Sequence, residues 1–257
     1  MLAVSRNLKF CLAMALALSL VVSAGGCGKK KKKAPADEGA FSKAMEYAQK
    51  GLADDAIAAF TKAIQLNPEN PKSYNNRGQI YVAKGNLDLA MADYNKAIEV
   101  DPMFVLAYYN RGILYEAKGD LKNAIEDYTK AIQLGPEQAH IIYNSRGLAY
   151  AKQGKYVQSI SDCTRALELN PGYLEAYNNR GLAYAAKGDI DNAISDFSKI
   201  IMYNPNIPLA YYNRAVAYYK NKNYDKSWED IYKAQAMGFK PDPRFMESLQ
   251  KESERQK

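Results

Sequence analysis

The sequence predicts an all-α solenoid: six stacked helix-turn-helix repeats closed by a C-terminal helix. Three observations predict it. The motif Tyr-Asn-Asn-Arg-Gly opens at Tyr177 and at Tyr74, with near copies at Tyr108, Tyr143 and Tyr211. Pro68, Pro102, Pro136, Pro171 and Pro205 follow one another at steps of 34, 34, 35 and 34 residues. Between these marks, apolar residues recur at helical spacing twice per step, separated by a glycine or a polar turn. A fixed period of this size is the signature of an array in which each unit buries surface only against its neighbours.

Residues 1–27 read as an export signal. Arg6 and Lys9 make a positive start, and Phe10 to Ala24 carries no charge over 15 residues. That length suits a signal-peptide core and falls short of the roughly 20 residues that span a bilayer. Its end, Ala24-Gly25-Gly26-Cys27, resembles a bacterial lipobox, in which the cysteine is lipidated and becomes the mature N-terminus. The resemblance implies a lipid on Cys27 and a location in the bacterial cell envelope, on a membrane. Ala24 stands where that family has Leu, Val or Ile. Two other readings stay open: cleavage after Val22-Ser23-Ala24, which gives a soluble exported protein, and retention as a short anchor. Residues 28–36 hold five consecutive lysines, too much like charge to fold, and read as a tether. Lysines near anionic headgroups contribute about 1 kcal/mol each; a solvated spacer is the plainer reading.

The formal charge of +7 is concentrated at this end. Arg6, Lys9 and Lys29 to Lys33 precede the first acid, Asp37, and without them 28 basic residues face 28 acidic ones. A neutral repeat body lacks the basic footprint of a nucleic-acid binder. The chain has one histidine, His140, beside the inserted residue and read as a loop residue. Of three cysteines, Cys11 lies in the leader, Cys27 ends it and Cys163 sits on an apolar helix face, so no disulfide pair is implied. No phosphate-binding glycine loop, metal cluster or catalytic constellation appears. The expectation is a protein without cofactor, metal or enzymatic activity.

The repeats run 37–70, 71–104, 105–138, 140–173, 174–207 and 208–239, with Ala139 as the one extra residue. In the fifth, Tyr177, Gly181 and Tyr184 stripe the first helix, Gly188-Asp189 breaks it, and Ile190, Ala193, Ile194, Phe197, Ile200 and Ile201 stripe the second. Asn204-Pro205 then stops that helix, because a residue before proline avoids the α region. Residues 240–257 form a capping helix and polar tail. Asp242 caps, Pro243 takes the first turn, and Phe245, Met246 and Leu249 make one apolar face; the stretch from Lys251 to Lys257 is expected to fray.

These columns resemble the tetratricopeptide repeat. Position 8 is small (Ala44, Gly78, Gly112, Gly147, Gly181, Ala215). Position 11 is Tyr47, Tyr81, Tyr115, Tyr150, Tyr184 and Tyr218. Position 20 is Ala56, Ala90, Ala124, Ser159, Ala193 and Ser227, and position 24 is Phe60, Tyr94, Tyr128, Cys163, Phe197 and Ile231. Small residues at 8 and 20 let paired helices approach, and the large ones at 11 and 24 fill the space between them. The resemblance covers about 200 residues and implies a right-handed superhelix whose concave wall is lined by positions 2, 5, 6, 9, 12 and 13.

On that assignment the wall carries Asn75, Asn76, Tyr109, Asn110, Asn144, Ser145, Asn178, Asn179, Tyr212 and Asn213. An amide side chain donates and accepts at once, so it can hold both edges of a peptide backbone. Asn76, Asn110, Asn179 and Asn213 match the position-6 asparagine that does so in peptide-binding members of the family. Tyr109, Tyr212 and Tyr219 add flat anchors. Phe41 and Met45 stand where the first repeat would need polar residues for a basic clamp on acidic termini, so Lys72 alone does not build one. The implied function is an interaction scaffold for a protein or peptide partner; some lipoproteins of this design assist pilus assembly. The alternative is a structural, self-associating repeat protein whose amides are simply solvated, and the oligomeric state stays open.

One charge pattern points inward. Position 7 is Arg77, Arg111, Arg146, Arg180 and Arg214, and position 23 is Asp93, Asp127, Asp162, Asp196 and Asp230. The first repeat lacks both, having Lys43 and Ala59. Joint loss predicts that each arginine serves the aspartate of its own repeat, turned away from the groove.

Overall fold

The computed structural model describes residues 36–255. The expected signal, Cys27 and most of the tether lie outside the described residues. The chain divides into two compact units, ending at Pro136 and beginning at Glu137. The first contains α1 (Ala36–Gln49), α2 (Ala53–Leu66), α3 (Pro71–Ala83), α4 (Leu87–Val100), α5 (Val105–Ala117) and α6 (Leu121–Gln133). The second contains α7 (Ala139–Lys152), α8 (Tyr156–Leu169), α9 (Leu174–Lys187), α10 (Ile190–Tyr203), α11 (Pro208–Lys220), α12 (Tyr224–Ala236) and α13 (Pro243–Glu254). Within each unit, a repeat's first helix packs on its second, and that second helix packs on the next first helix.

Three boundaries differ from the sequence reading. Ala36, at the end of the expected tether, opens α1. Ala139 and His140 both lie in α7, so the inserted residue lengthens a helix instead of bulging a loop, and His140 is helical. The last helix continues to Glu254, through most of the stretch expected to fray, with Gln250 Nε2 donating to Glu254 Oε1 at 3.0 Å.

The turns explain why the helices stop where they do. In each repeat the N–H at position 16 reaches the carbonyl of the position-11 tyrosine, as in Asn86 N to Tyr81 O at 2.8 Å and Asp189 N to Tyr184 O at 2.9 Å. This six-residue closure needs a left-handed residue before it. Gly188 supplies one with φ +92°, and the sixth repeat uses Lys222 at φ 57° instead. At the far end of the second helices, position 31 makes a side-chain turn: Asp101 Oδ1 accepts from Met103 N at 2.9 Å and Asn204 Oδ1 from Asn206 N at 3.0 Å.

The paired helices meet through the small-to-large columns. A Cβ on Gly181 would lie 2.8 Å from Phe197 Cε1, and one on Gly112 would lie 2.7 Å from Tyr128 Cε1. Phe60, Tyr94, Tyr128 and Phe197 are consequently buried, each filling the gap that its facing small residue leaves. At the C-terminus Asp242 Oδ1 accepts from Arg244 N at 2.8 Å, fixing the start of α13. Leu249 is fully buried beside Tyr224 and Ile231, with Phe245 and Met246 half-buried around it.

Candidate interaction face

The inward layer is polar and closed. Each guanidinium grips the carboxylate sixteen residues on, in its own repeat, with two parallel bonds. Arg180 Nε and Nη2 reach Asp196 at 2.8 and 2.7 Å. Arg77 reaches Asp93 at 2.9 and 2.7 Å, Arg111 reaches Asp127 at 2.7 and 2.7 Å, Arg146 reaches Asp162 at 2.8 and 2.8 Å, and Arg214 reaches Asp230 at 2.7 and 2.9 Å. The tyrosines at positions 4 and 11 flank the cation; Tyr177 and Tyr184 centre 5.6 and 6.0 Å from Arg180. They sit three residues before and four after the arginine, on one helix face.

The third arginine nitrogen leaves the repeat. Nη1 of Arg77, Arg180 and Arg214 donates to Thr61, Thr164 and Ser198 at 2.9, 3.0 and 2.9 Å, and that of Arg111 to Asn95 Oδ1 at 2.7 Å. One side chain therefore ties three helices. Position 25, where these acceptors lie, holds a small polar residue in the first five repeats, and that column is the signal from which the third bond could have been read.

Hydrogen bonding to Asp93 holds the Arg77 guanidinium above its ordinary range, despite burial. Burial, opposed by Arg180, pushes the Asp196 carboxyl up, and burial does the same to Asp127 against Arg111. The arginine shift and the carboxyl shift pull opposite ways for one pair. Desolvation therefore consumes much of the attraction, as expected for a buried pair. Positions 5 and 9 lie about 200° round the helix from position 7, so the arginines turn away from the wall.

The wall asparagines are engaged with one another. Asn110 Nδ2 donates to Asn75 Oδ1 at 2.8 Å, Asn179 to Asn144 at 2.9 Å, and Asn213 to Asn178 at 2.9 Å. In these three bonds position 6 donates to position 5 of the preceding repeat. Asn75 also donates to Asn76 Oδ1 at 3.2 Å, and Asn76 Nδ2 lies 3.3 Å from Met45 Sδ. In the first unit Asn75, Asn110 and Tyr109 are buried, Tyr109 against Tyr128 at 5.9 Å between ring centroids. In the second unit Asn178, Asn179 and Asn213 are half-buried, whereas Asn144 is buried. Asn178 Nδ2 and Asn213 Oδ1 have no hydrogen-bond partner among the described residues.

Tyr212 is covered by Phe239 and Phe245, at 4.9 and 5.7 Å, and Tyr219 by Phe245 at 5.5 Å. In the second unit the aliphatic members of the open wall are Leu148, Leu182 and Val216, all at position 9, with Leu182 46% exposed, and Leu209 at position 2, 47% exposed. The amide columns dominate a reading of the motif, which passes over these aliphatic residues.

The remaining candidates are inert. Burial pushes the Cys163 thiol up to about 12, so it stays protonated and non-nucleophilic near neutrality. His140 packs edge-on to Tyr173 at 5.2 Å, and burial lowers its pKa, which keeps the ring neutral. No group of ligating side chains suited to a metal occurs among the described residues.

Known proteins share this fold. Family models described as TPR repeat match residues 44–85 and 78–119, and one described as Tetratricopeptide repeat matches 105–138, 140–173 and 174–207. The solved structure of YrrB, a TPR protein with an unusual peptide-binding site, is 31% identical with a TM-score of 0.65, covering 75% of this chain and 98% of that one. A tetratricopeptide repeat protein from Parabacteroides merdae ATCC 43184 is 24% identical with a TM-score of 0.68, covering 80% of each chain. PilW, a type IV pilus biogenesis factor, is 19% identical with a TM-score of 0.70, covering 80% of this chain and 94% of its own. The last two share the fold alone. No curated protein matches. The repeated columns, their packing and these matches together make the chain a member of the tetratricopeptide-repeat family, a fold of protein-interaction type.

Proposed function

We propose that this protein is a non-catalytic scaffold, tethered to a membrane of the bacterial envelope through Cys27, that holds a peptide or partner protein along the first helices. Assembly of an envelope machine is a role such a scaffold would serve. The observation that carries the binding reading is the division of labour on each first helix. The arginine layer is spent on internal pairing, while the opposite face of the second unit leaves Leu182 and Leu209 nearly half exposed and part of each amide pair unspent. Apolar side chains beside unsatisfied amide groups are what a peptide backbone and its side chains need. YrrB, which shares 31% of its residues with this chain, has a peptide-binding site. The tether reading rests on the Ala24-Gly25-Gly26-Cys27 sequence.

A photo-crosslinking residue in place of Leu182 should capture a defined partner in envelope membranes, while the same residue in place of Lys199 on α10 should not. Equal capture at both positions removes the face from the argument. Mass spectrometry of the mature N-terminus checks the tether: a lipid-modified Cys27 is expected, and an unmodified start at Gly25 excludes it.

A further inference from the structure

The second unit also specifies the chemistry of the segment it would hold. We infer that this face takes an extended, polyproline-II-like peptide carrying an aliphatic side chain at every third residue. The inference rests on the reading of the face as a peptide site and adds the conformation and spacing of the occupant.

The floor is uncharged. Positions 5, 6, 9 and 12 of the fourth, fifth and sixth repeats hold amides, hydroxyls, alanines and aliphatic side chains, and no acid or base among all of them. Charge appears only at the margins, with Glu175 at position 2 and Lys152 and Lys220 at position 13. An acidic or basic ligand would find no counter-ion on the floor, so the contacts that discriminate are apolar.

The period of the floor comes from the repeats. Leu148, Leu182 and Val216 occupy one position on three successive first helices. The bonds from Asn179 to Asn144 and from Asn213 to Asn178, both 2.9 Å, hold those helices in direct contact. Helices in contact lie about 8–10 Å apart, and the aliphatic side chains repeat at that step. A polyproline-II segment rises about 3.1 Å per residue with three residues per turn, so every third side chain faces the same way after roughly 9 Å. An α-helix offers a similar step only between residues seven apart. A β-strand turns its third side chain to the opposite face.

The amides decide between the first two. Asn178 Nδ2 remains a free donor and Asn213 Oδ1 a free acceptor among the described residues, held side by side by the bond between their other halves. A polyproline-II backbone makes no internal hydrogen bonds and presents both groups outward, whereas a helix has already spent its own. Spacing and hydrogen-bond demand thus select the same conformer.

The test uses the full chain in detergent and three fluorescent dodecapeptides, each with two leucines, read by anisotropy. One spaces the leucines three residues apart among prolines, one spaces them two apart, and one is helix-stabilised with the leucines seven apart. The first should bind about tenfold tighter than either other, and Leu182→Asp should weaken it at least as much, with the circular-dichroism melt unchanged. Equal affinity for the three peptides, or preference for the helical one, overturns the inference; the underlying site then stands if Leu182→Asp still abolishes binding. If no peptide binds, or Leu182→Asp changes nothing, both readings fall.

Discussion

Repeats four and five share a unit, a length and a motif, and they solve the same packing problem differently. In repeat five the ring of Phe197 lies against Gly181, so aromatic carbon is what a Cβ there would strike first, at 2.8 Å. In repeat four Cys163 replaces the aromatic, and the space opposite Gly147 is closed partly by backbone: a Cβ would meet Cys163 Sγ at 3.0 Å and the Ser159 carbonyl oxygen at 3.2 Å. The helices compensate for a smaller filler by coming together. The small-to-large columns therefore set the distance between a pair of helices, and the filler's size can change if the backbone follows it. Asp162 and Asp196 keep the same bidentate geometry on Arg146 and Arg180 in both repeats, so the charge pair tolerates that adjustment.

The comparison would break most visibly in the core. Phe197→Ala should cost about 3–5 kcal/mol, while Cys163→Ala, which removes one atom from a site already drawn in, should cost only about 1–2 kcal/mol. Urea unfolding of both variants checks the ratio; equal losses would mean that the backbone approach in repeat four compensates for nothing.

The charge pairs give the next effect. Arg180→Met leaves Asp196 buried without its partner and should cost up to about 3–5 kcal/mol, most of it recovered by adding Asp196→Leu. The same pair of substitutions at Arg146 and Asp162 should behave alike, since the four side chains are similarly enclosed. A clear difference between the two repeats in the double variants would show that the pairing does depend on how near the helices stand.

The smallest effect concerns the turn. Gly188 meets the left-handed requirement at no steric cost, whereas Lys222 meets it with a side chain. Lys222→Gly should gain about 0.5–1 kcal/mol by thermal melting, the relief of strain being partly offset by the freer unfolded chain. A loss would indicate that the lysine side chain contributes a contact worth more than the strain.

Much of this was legible before any coordinates, because a repeat writes each contact several times. The pairing of arginine with aspartate could be read from Lys43 and Ala59, where both partners vanish together. The amides were harder. Asn76, Asn110, Asn179 and Asn213 read naturally as free groups facing a ligand, yet the partner of Asn110 is Asn75, 35 residues upstream and one position out of register. Columns compared at a single position cannot display a bond between two positions of neighbouring repeats. His140 was obscured for the opposite reason: an inserted residue breaks the period locally and suggests a loop, whereas α7 absorbs it by starting at Ala139. Leu182 was passed over because an aliphatic residue in a helix usually marks a core, and here it marks open surface.

The division into three repeats and three repeats has a history written in it. At position 6 the chain reads Ser42, Asn76, Asn110 and then Ser145, Asn179, Asn213; at position 5, Asn75 and Tyr109 return as Asn178 and Tyr212. Each residue stands 103 places from its counterpart. Leu106-Ala107-Tyr108-Tyr109-Asn110-Arg111 reappears unchanged as Leu209 to Arg214. A longer period thus overlies the shorter one, as when a gene segment encoding three repeats is copied once and joined to itself. The bond from Asn213 to Asn178 has its counterpart in that from Asn110 to Asn75, 103 places earlier, whereas Asn144, which accepts from Asn179, answers to Phe41. The two copies then cover the same tyrosine differently: Phe245 of α13 packs on Tyr212, whereas Tyr109, its counterpart, packs on Tyr128.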